Sequence, residues 1–320
     1  MPKLNMVQAI NLALKEEMQR DKNIVILGED VGRDGGVFRV TEGLFDQFGP
    51  ERVMDTPLAE SGIVGTAIGM AAYGLRPVAE VQFMGFIYPA VDQIFNHAAR
   101  LRSRSRGRIS VPLVVRTPYG VGIKSPEHHS ESSEAHFCHM PGLKVVIPSS
   151  PYNAKGLLIS SIRDPDPVLF LESTRLYRMI KEEVPEGEYT VPLGKARIVQ
   201  EGKDVTIVSW GSMLHRTLQT VAGTGAEVID LMTLNPFDEE TIYTSVKKTG
   251  RVVVVHEAPK TGGFGAEIAA SVAEEVMLYL KGPIMRVTAC DAVLPLPKLE
   301  DYYMPTAARI QKAVEEVMKY

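Results

Sequence analysis

The stretch "VMDTPLAESGIVGTAIGMAAYGLRPVAEVQF", residues 53–83, decides the fold. It opens on a short apolar run and passes from Glu60 into a segment of glycine, alanine and small β-branched residues. It closes on a second apolar run, "RPVAEVQF". Two such runs flanking a helical segment make a β-α-β unit. Working outward, the same grammar recurs. "NIVILGED" (23–30), "VPLVVRTP" (111–118), "GLKVVIPSS" (142–150) and "PVLFLES" (167–173) read as strands. Between them, "TEGLFDQFG" predicts a short helix capped by Thr41, and "YPAVDQIFNHAARLRS" a helix with Pro89 in its first turn. "PYNAKGLLISSIRD" predicts a helix opened by Pro151 and capped by Ser149 or Ser150.

Periodicity lapses around 178–194, where charges and prolines accumulate, and then restarts. "DVTIVSW" (204–210), "AEVIDLMTL" (226–234), "RVVVVHEA" (251–258) and "IMRVTACD" (284–291) read as strands, separated by helical patterns and followed by a last helix over 305–320. The expected fold class is α/β, with two open, mostly parallel-sheet domains. The expected division is 1–180, a linker over 181–196, and 197–320.

Composition agrees. With 320 residues, 45% hydrophobic and 23% charged, the chain reads as globular, and its net charge of −4 gives no footprint for nucleic acid. The basic run Arg100, Arg102, Arg104, Arg106 and Arg108 reads as a solvated or partner-facing helix end. No apolar stretch reaches the roughly 20 residues that span a bilayer, so no membrane role is expected. Residues 1–20 carry an amphipathic helix pattern rather than a targeting segment, so a cytoplasmic location is expected. Two cysteines, Cys138 and Cys290, fit a reducing compartment with both thiols free.

Glu60 stands where a strand gives way to a helix, the place where α/β sheets hold ligands. The helix dipole favours its charged form and burial its neutral form, so a proton there is easily shared with a ligand. On spacing alone it reads equally as an acid stabilising its own first turn. Gly65 and Gly69 form a GxxxG pair, which suits close helix packing on this chain's sheet or across a subunit boundary. "YGVGIKSPEHHSES" (119–132) is a long polar loop, and adjacent His128 and His129 cannot face one pocket if it is extended. His136, Cys138 and His139 lack a second cluster to complete a metal site. The glycine-rich stretches at 28–39 and 261–267 match neither a P-loop nor GxGxxG; "TGGFG" leaves room for an anion at a helix start.

"FGPERVMDTPLAESGIVGTAIGMAAYGLRPVAEVQF", "PAVDQIFNHAAR", "HHSES", "PGLKVVIPSSPYNAKGLL", "VSWGS" and "VVVHEAPKTGGFGAEIAA" together resemble the β subunit of the thiamine-diphosphate-dependent decarboxylase component of 2-oxo acid dehydrogenases, over nearly the whole chain. "HMPGLKVVIPSSPYNAKGLLISSIRDPDPVLFLES" and "EVQFMGFIYPAVDQI" look more like the branched-chain type, which acts on 3-methyl-2-oxobutanoate, than the pyruvate type. The resemblance implies a transketolase-like pyrimidine-binding domain followed by a transketolase C-terminal domain. It implies an α subunit, in a heterotetramer of two α and two β chains, that carries the magnesium and diphosphate motif absent here. It implies transfer of the acyl unit to a lipoyl acyltransferase. Carried over, Glu60 matches the glutamate that hydrogen-bonds the aminopyrimidine, and Leu58, Gln82 and Phe86 match residues lining that pocket. His129 matches the histidine near the reacting carbon. Gly65 and Gly69 match a helix contact with a second β subunit. A structural potassium ion is implied at Leu113, Ser161, Asp164 and Asp166, with Val114 and Asp166 departing from the usual threonine and asparagine. Glu131 departs from the usual glutamine. Besides a pyruvate-type homologue, the alternatives are a non-catalytic docking or structural subunit and half of a split transketolase. Glu60 and His129 in matching places argue against the docking subunit, and the full-length match against the split transketolase.

Overall fold

The computed structural model describes residues 1–295 and 297–320. Among them the chain forms β1 (Lys3–Leu4), β2 (Ile24–Gly28), β3 (Val53–Asp55), β4 (Arg76–Glu80), β5 (Val114–Tyr119), β6 (Lys144–Val146), β7 (Val168–Ser173), β8 (Glu182–Glu183), β9 (Arg197–Gln200), β10 (Val205–Ser209), β11 (Ala226–Asp230), β12 (Thr233–Asn235), β13 (Val252–Pro259) and β14 (Met285–Ala289). Seven strands make the first sheet in the order β12-β6-β7-β5-β4-β2-β3, and five make the second in the order β14-β13-β10-β11-β9. β2 through β7 are parallel because each pair is joined by a crossover rather than a tight turn. Their continuous apolar runs follow, since a parallel sheet is covered on both faces.

The two-sheet α/β expectation holds, with two amendments. "AEVIDLMTL" is not one strand. Met232 takes a left-handed φ of 53° and turns the chain, so β11 stays in the second sheet while β12 pairs antiparallel with β6 in the first. β9 adds an antiparallel edge to the second sheet. One apolar cluster consequently runs through both sheets, from Tyr119, Ile147 and Leu171 to Trp210, Leu231, Leu234 and Phe264.

Among the helices, Ser150 caps Pro151–Arg163 by accepting the Asn153 N–H, and Gly250, left-handed, ends Glu239–Thr249, both as their residue types predict. Thr41 does not cap. It is fully buried and donates to the Val31 carbonyl at 2.7 Å, closing the loop after β2, while Gly43 precedes the helix Leu44–Phe48. Residues 88–104 form a 3-10 turn at Tyr88–Ala90, a wide π turn at Gln93–Ala98 and a short helix at Leu101–Arg104, rather than one helix.

Asp230 ties the two sheets. Its carboxylate, buried at the end of β11, accepts the Ser149 hydroxyl at 2.7 Å. Burial pushes its pKa up to about 7, with the Ser149 hydrogen bond opposing. A carboxyl whose folded pKa lies above its unfolded value of about 3.9 stabilises the fold at low pH. That contribution is lost as pH rises through the folded value. Asp230→Asn should therefore gain melting temperature relative to the native chain between pH 5 and pH 8. A difference that stays constant across that range in thermal unfolding would show that Asp230 is ionised in the fold.

Candidate active site

The order of the first sheet places a crevice. From β2 the chain runs outward to β3; from β4 it runs the other way, through β5 to β7. Ligands of open α/β sheets bind beyond the carboxyl ends of the strands where direction reverses, here β2 and β4. Glu29 and Asp30 follow β2, and Gln82, Phe83 and Phe86 follow β4. Gln82 Nε2 donates to the Asp30 carboxylate at 3.0 Å across the gap. Glu60 opens the helix Glu60–Ala72 after β3. It is only 9% exposed, and no side-chain cap competes with it at the helix start. Glu29 is its electrostatic neighbour. Burial first, and then the charges of Glu60 and Asp30, raise the Glu29 pKa.

The loop after β5 brings in the histidines. Residues Glu127–His129 form a 3-10 turn, not an extended segment, so both rings lie on one side, with centroids 4.4 Å apart. His129 packs edge-on against Phe83 at 4.5 Å and Phe86 at 5.1 Å, and His128 lies 5.7 Å from Phe86. The turn Met84–Phe86 approaches so closely that a Cβ at Gly85 would collide with the His128 carbonyl. His129 Nδ1 is buried and has no hydrogen-bond partner. Burial, then the neighbouring charge of His128, lower its pKa, with Glu127 opposing.

The structure therefore gathers Gln82, Phe86 and His129 beside the crevice, with Glu60 at its helix start. Leu58 is 78% exposed on the isolated chain. Gly69 faces open space, whereas Gly65 lies against this chain's own Gln93, so the exposed stripe of that helix runs through Gly62, Thr66, Gly69 and Tyr73. An acid at a helix start, a hydrogen-bonding amide, an aromatic face and an orphan histidine nitrogen suit an aminopyrimidine ring and a carboxylate-bearing substrate.

The side chains at the implied potassium site have protein partners, while the ligands the resemblance implies there are main-chain carbonyls. Asp164 accepts Lys144 Nζ at 2.7 Å, Asp166 accepts Arg102 Nε at 2.5 Å, and the Leu113 carbonyl accepts the Val168 N–H at 2.9 Å. No group of three or more His, Cys, Asp or Glu side chains that could hold a metal ion occurs among the described residues. "TGGFG" is spent on packing: Gly263 and Gly265 crowd buried His256. Cys138 and Cys290 are free thiols, and no helix among the described residues is long and apolar enough to cross a membrane.

One support of the site escaped sequence reasoning. Arg116, 1% exposed on β5, bonds Glu172 of β7 at 2.8 and 2.7 Å and also pairs with Glu80 of β4; Tyr177 donates to Glu172 at 2.6 Å. The signal was present as a charge inside each of three apolar strand runs.

Comparison with known proteins agrees with this geometry. Residues 2–180 match the family "Transketolase, pyrimidine binding domain" and 194–310 match "Transketolase, C-terminal domain". Among solved structures, a "Split gene transketolase, inactive beta4 tetramer" aligns with a TM-score of 0.81 at 24% identity, covering 99% of both chains. Transketolase from Leishmania mexicana aligns at 0.70 and 16% identity, covering all of this chain and 46% of that one. The fold is thus that of the transketolase-type enzymes, and a pyrimidine-binding domain of this type implies thiamine-diphosphate dependence. Among curated proteins, the pyruvate dehydrogenase E1 component subunit beta of Staphylococcus epidermidis is 49% identical over the whole of both chains. That of Bacillus subtilis (strain 168) is 47% identical over the whole of both, and that of Acholeplasma laidlawii 49% over 99% and 98%. The chain belongs to the E1 component β subunits of the 2-oxo acid dehydrogenases, which implies an α subunit as partner. These relatives are named for pyruvate rather than for a branched-chain 2-oxo acid. The stretches that look more like the branched-chain type build β6, the helix Pro151–Arg163 and β7, and also the segment after β4 that holds Gln82 and Phe86.

Proposed function

We propose that this chain, with its α subunit, catalyses thiamine-diphosphate-dependent decarboxylation of pyruvate and passes the acyl unit to the lipoyl group of an acyltransferase. The observation that carries it is full-length identity near one half to proteins named as pyruvate dehydrogenase β subunits, with Glu60 placed at the crevice of the first sheet. Bound here, thiamine diphosphate supplies the electron sink for loss of CO2. Glu60 holds a proton against a ring nitrogen of the cofactor. Phe86 would pack on the ring and Gln82 would line its edge. His129, with Nδ1 unpartnered, orients the substrate carboxylate or moves a proton at the reacting carbon. Magnesium sits on the α chain. The domains divide as 1–180 and 197–320 around a linker at 181–196. A second β chain covers the Gly69 face, the second domain docks the acyltransferase, and the assembly is cytoplasmic.

The test is reconstitution with a cognate α chain, magnesium and thiamine diphosphate, followed by a substrate panel. The expected result is no decarboxylation by this chain alone. In the assembly, kcat/KM for pyruvate should exceed that for 3-methyl-2-oxobutanoate by about tenfold or more, the discrimination that a difference of two methyl groups supports. Preference for the branched acid would overturn the substrate assignment, and activity of the lone chain would overturn the shared site.

A further inference from the structure

We infer that Glu257, rooted in the second sheet, is a positioning residue for the loop that carries His129. Glu257 lies on β13 and is buried. Its Oε1 accepts the Val121 N–H at 2.5 Å and its Oε2 accepts the Ser212 hydroxyl at 2.6 Å. Val121 is where the histidine loop leaves β5. The preceding Gly120 has φ +78°, and a Cβ there would collide with the Glu257 carboxylate. Backbone and carboxylate are therefore in closest approach at this point.

The rest of the loop base is fastened from the first sheet. The Gly120 N–H donates to the Glu131 carbonyl at 2.8 Å, so the two ends of the loop meet. The Thr174 hydroxyl donates to the Gly120 carbonyl at 2.9 Å, and the Tyr88 hydroxyl donates to the Glu131 carboxylate at 2.5 Å. Between these fastenings the histidine turn leans on Phe83 and Phe86. Behind it lies a cavity of about 270 Å³ lined by Ser130, Glu131, Glu257 and Tyr303. The loop has room to fall back if the base loosens. Hydrogen bonds to a carboxylate are roughly twice as strong as neutral ones, and a buried carboxylate is tolerated only when its oxygens are bonded. Glu257 meets that condition with one bond to the loop and one to the helix Ser212–Thr220 of its own sheet. It touches no reacting atom; it transmits the position of the second sheet to the histidine turn.

The kinetic arm of the test rests on the function proposed above, and a second arm does not. In the α–β assembly, Glu257→Asp withdraws the carboxylate by one methylene and separates it from the Val121 N–H. Glu257→Gln keeps the length and an acceptor. For Glu257→Asp, amide hydrogen exchange over 120–131 should accelerate at least tenfold with little change elsewhere. Its kcat should fall by about tenfold or more, the scale of a sub-ångström misplacement of a catalytic group, with KM little changed. Glu257→Gln should restore most of both. If Glu257→Asp fails to assemble, Ser212→Ala, which removes the other anchor of the carboxylate, should show the same localised exchange. Exchange at the native rate, or faster exchange with native kcat, would overturn the inference. A native assembly inactive on every 2-oxo acid would instead overturn the proposed function, leaving the exchange arm to judge the clamp.

Discussion

Glu60→Gln in the reconstituted assembly is expected to lower kcat by about 10²–10⁴-fold, the range that a positioned proton-transferring group supplies, while subunit assembly and melting temperature stay close to native. The amide has the size of the carboxyl and keeps a hydrogen bond to a ring nitrogen, but it cannot share an acidic proton with it. Its place costs the fold little, because the helix Glu60–Ala72 has no side-chain cap that depends on it. Glu29 gives an internal check. The Glu60 charge is one of the causes that raise its pKa, so the substitution should lower the Glu29 pKa towards the ordinary carboxylate value. Steady-state turnover with size-exclusion chromatography of the variant decides the matter. A kcat within twofold of native would remove Glu60 from the chemistry.

Arg116→Met should have the largest effect on stability. The guanidinium bridges carboxylates on both neighbouring strands, Glu80 and Glu172, and all three groups are buried. Its own pKa is raised by those two charges, although burial acts against it. Removing one member of a buried ionic group leaves uncompensated charge at a cost of about 3–5 kcal/mol, a fall in melting temperature on the order of 10 °C. Burial already raises the Glu80 pKa against the opposing Arg116 charge, so losing the guanidinium should deepen the deficit as pH rises above the ordinary glutamate pKa. The triple substitution with Glu80→Gln and Glu172→Gln should recover most of the loss, since the charge problem goes with the charges. Thermal unfolding of the single and triple variants tests this. A single variant within about 1 kcal/mol of native, or a triple variant no better than the single, would show that packing rather than charge sets the cost.

Much of the fold was legible because parallel strands advertise themselves as continuous apolar runs between helical patterns, as in "NIVILG" and "PVLFLES". What escaped depended on long-range pairing. Nothing local in "AEVIDLMTL" says that the chain turns at Met232 and changes sheets, and Thr41 looked like a cap because its partner, the Val31 carbonyl, lies ten residues away. Within the site, Glu60 is legible from its place where a strand gives way to a helix, whereas Gln82 and Phe86 rest on the family resemblance. An extended loop would set His128 and His129 apart, whereas the 3-10 turn rotates them together, and nothing local in the sequence announces that turn. The Arg116 network and Glu257 were passed over because a charge within an apolar strand carries no motif, and its meaning appears only with its neighbours.

β12 has a bearing on how the protein is made. Until Thr233–Asn235 have left the ribosome, β6 is an unsatisfied border of the first sheet, and the nascent N-terminal half waits with open backbone groups. Synthesis and maturation of the two halves are thereby interlocked, and a fragment ending at the linker would emerge with an adhesive flank that the intact chain stitches shut.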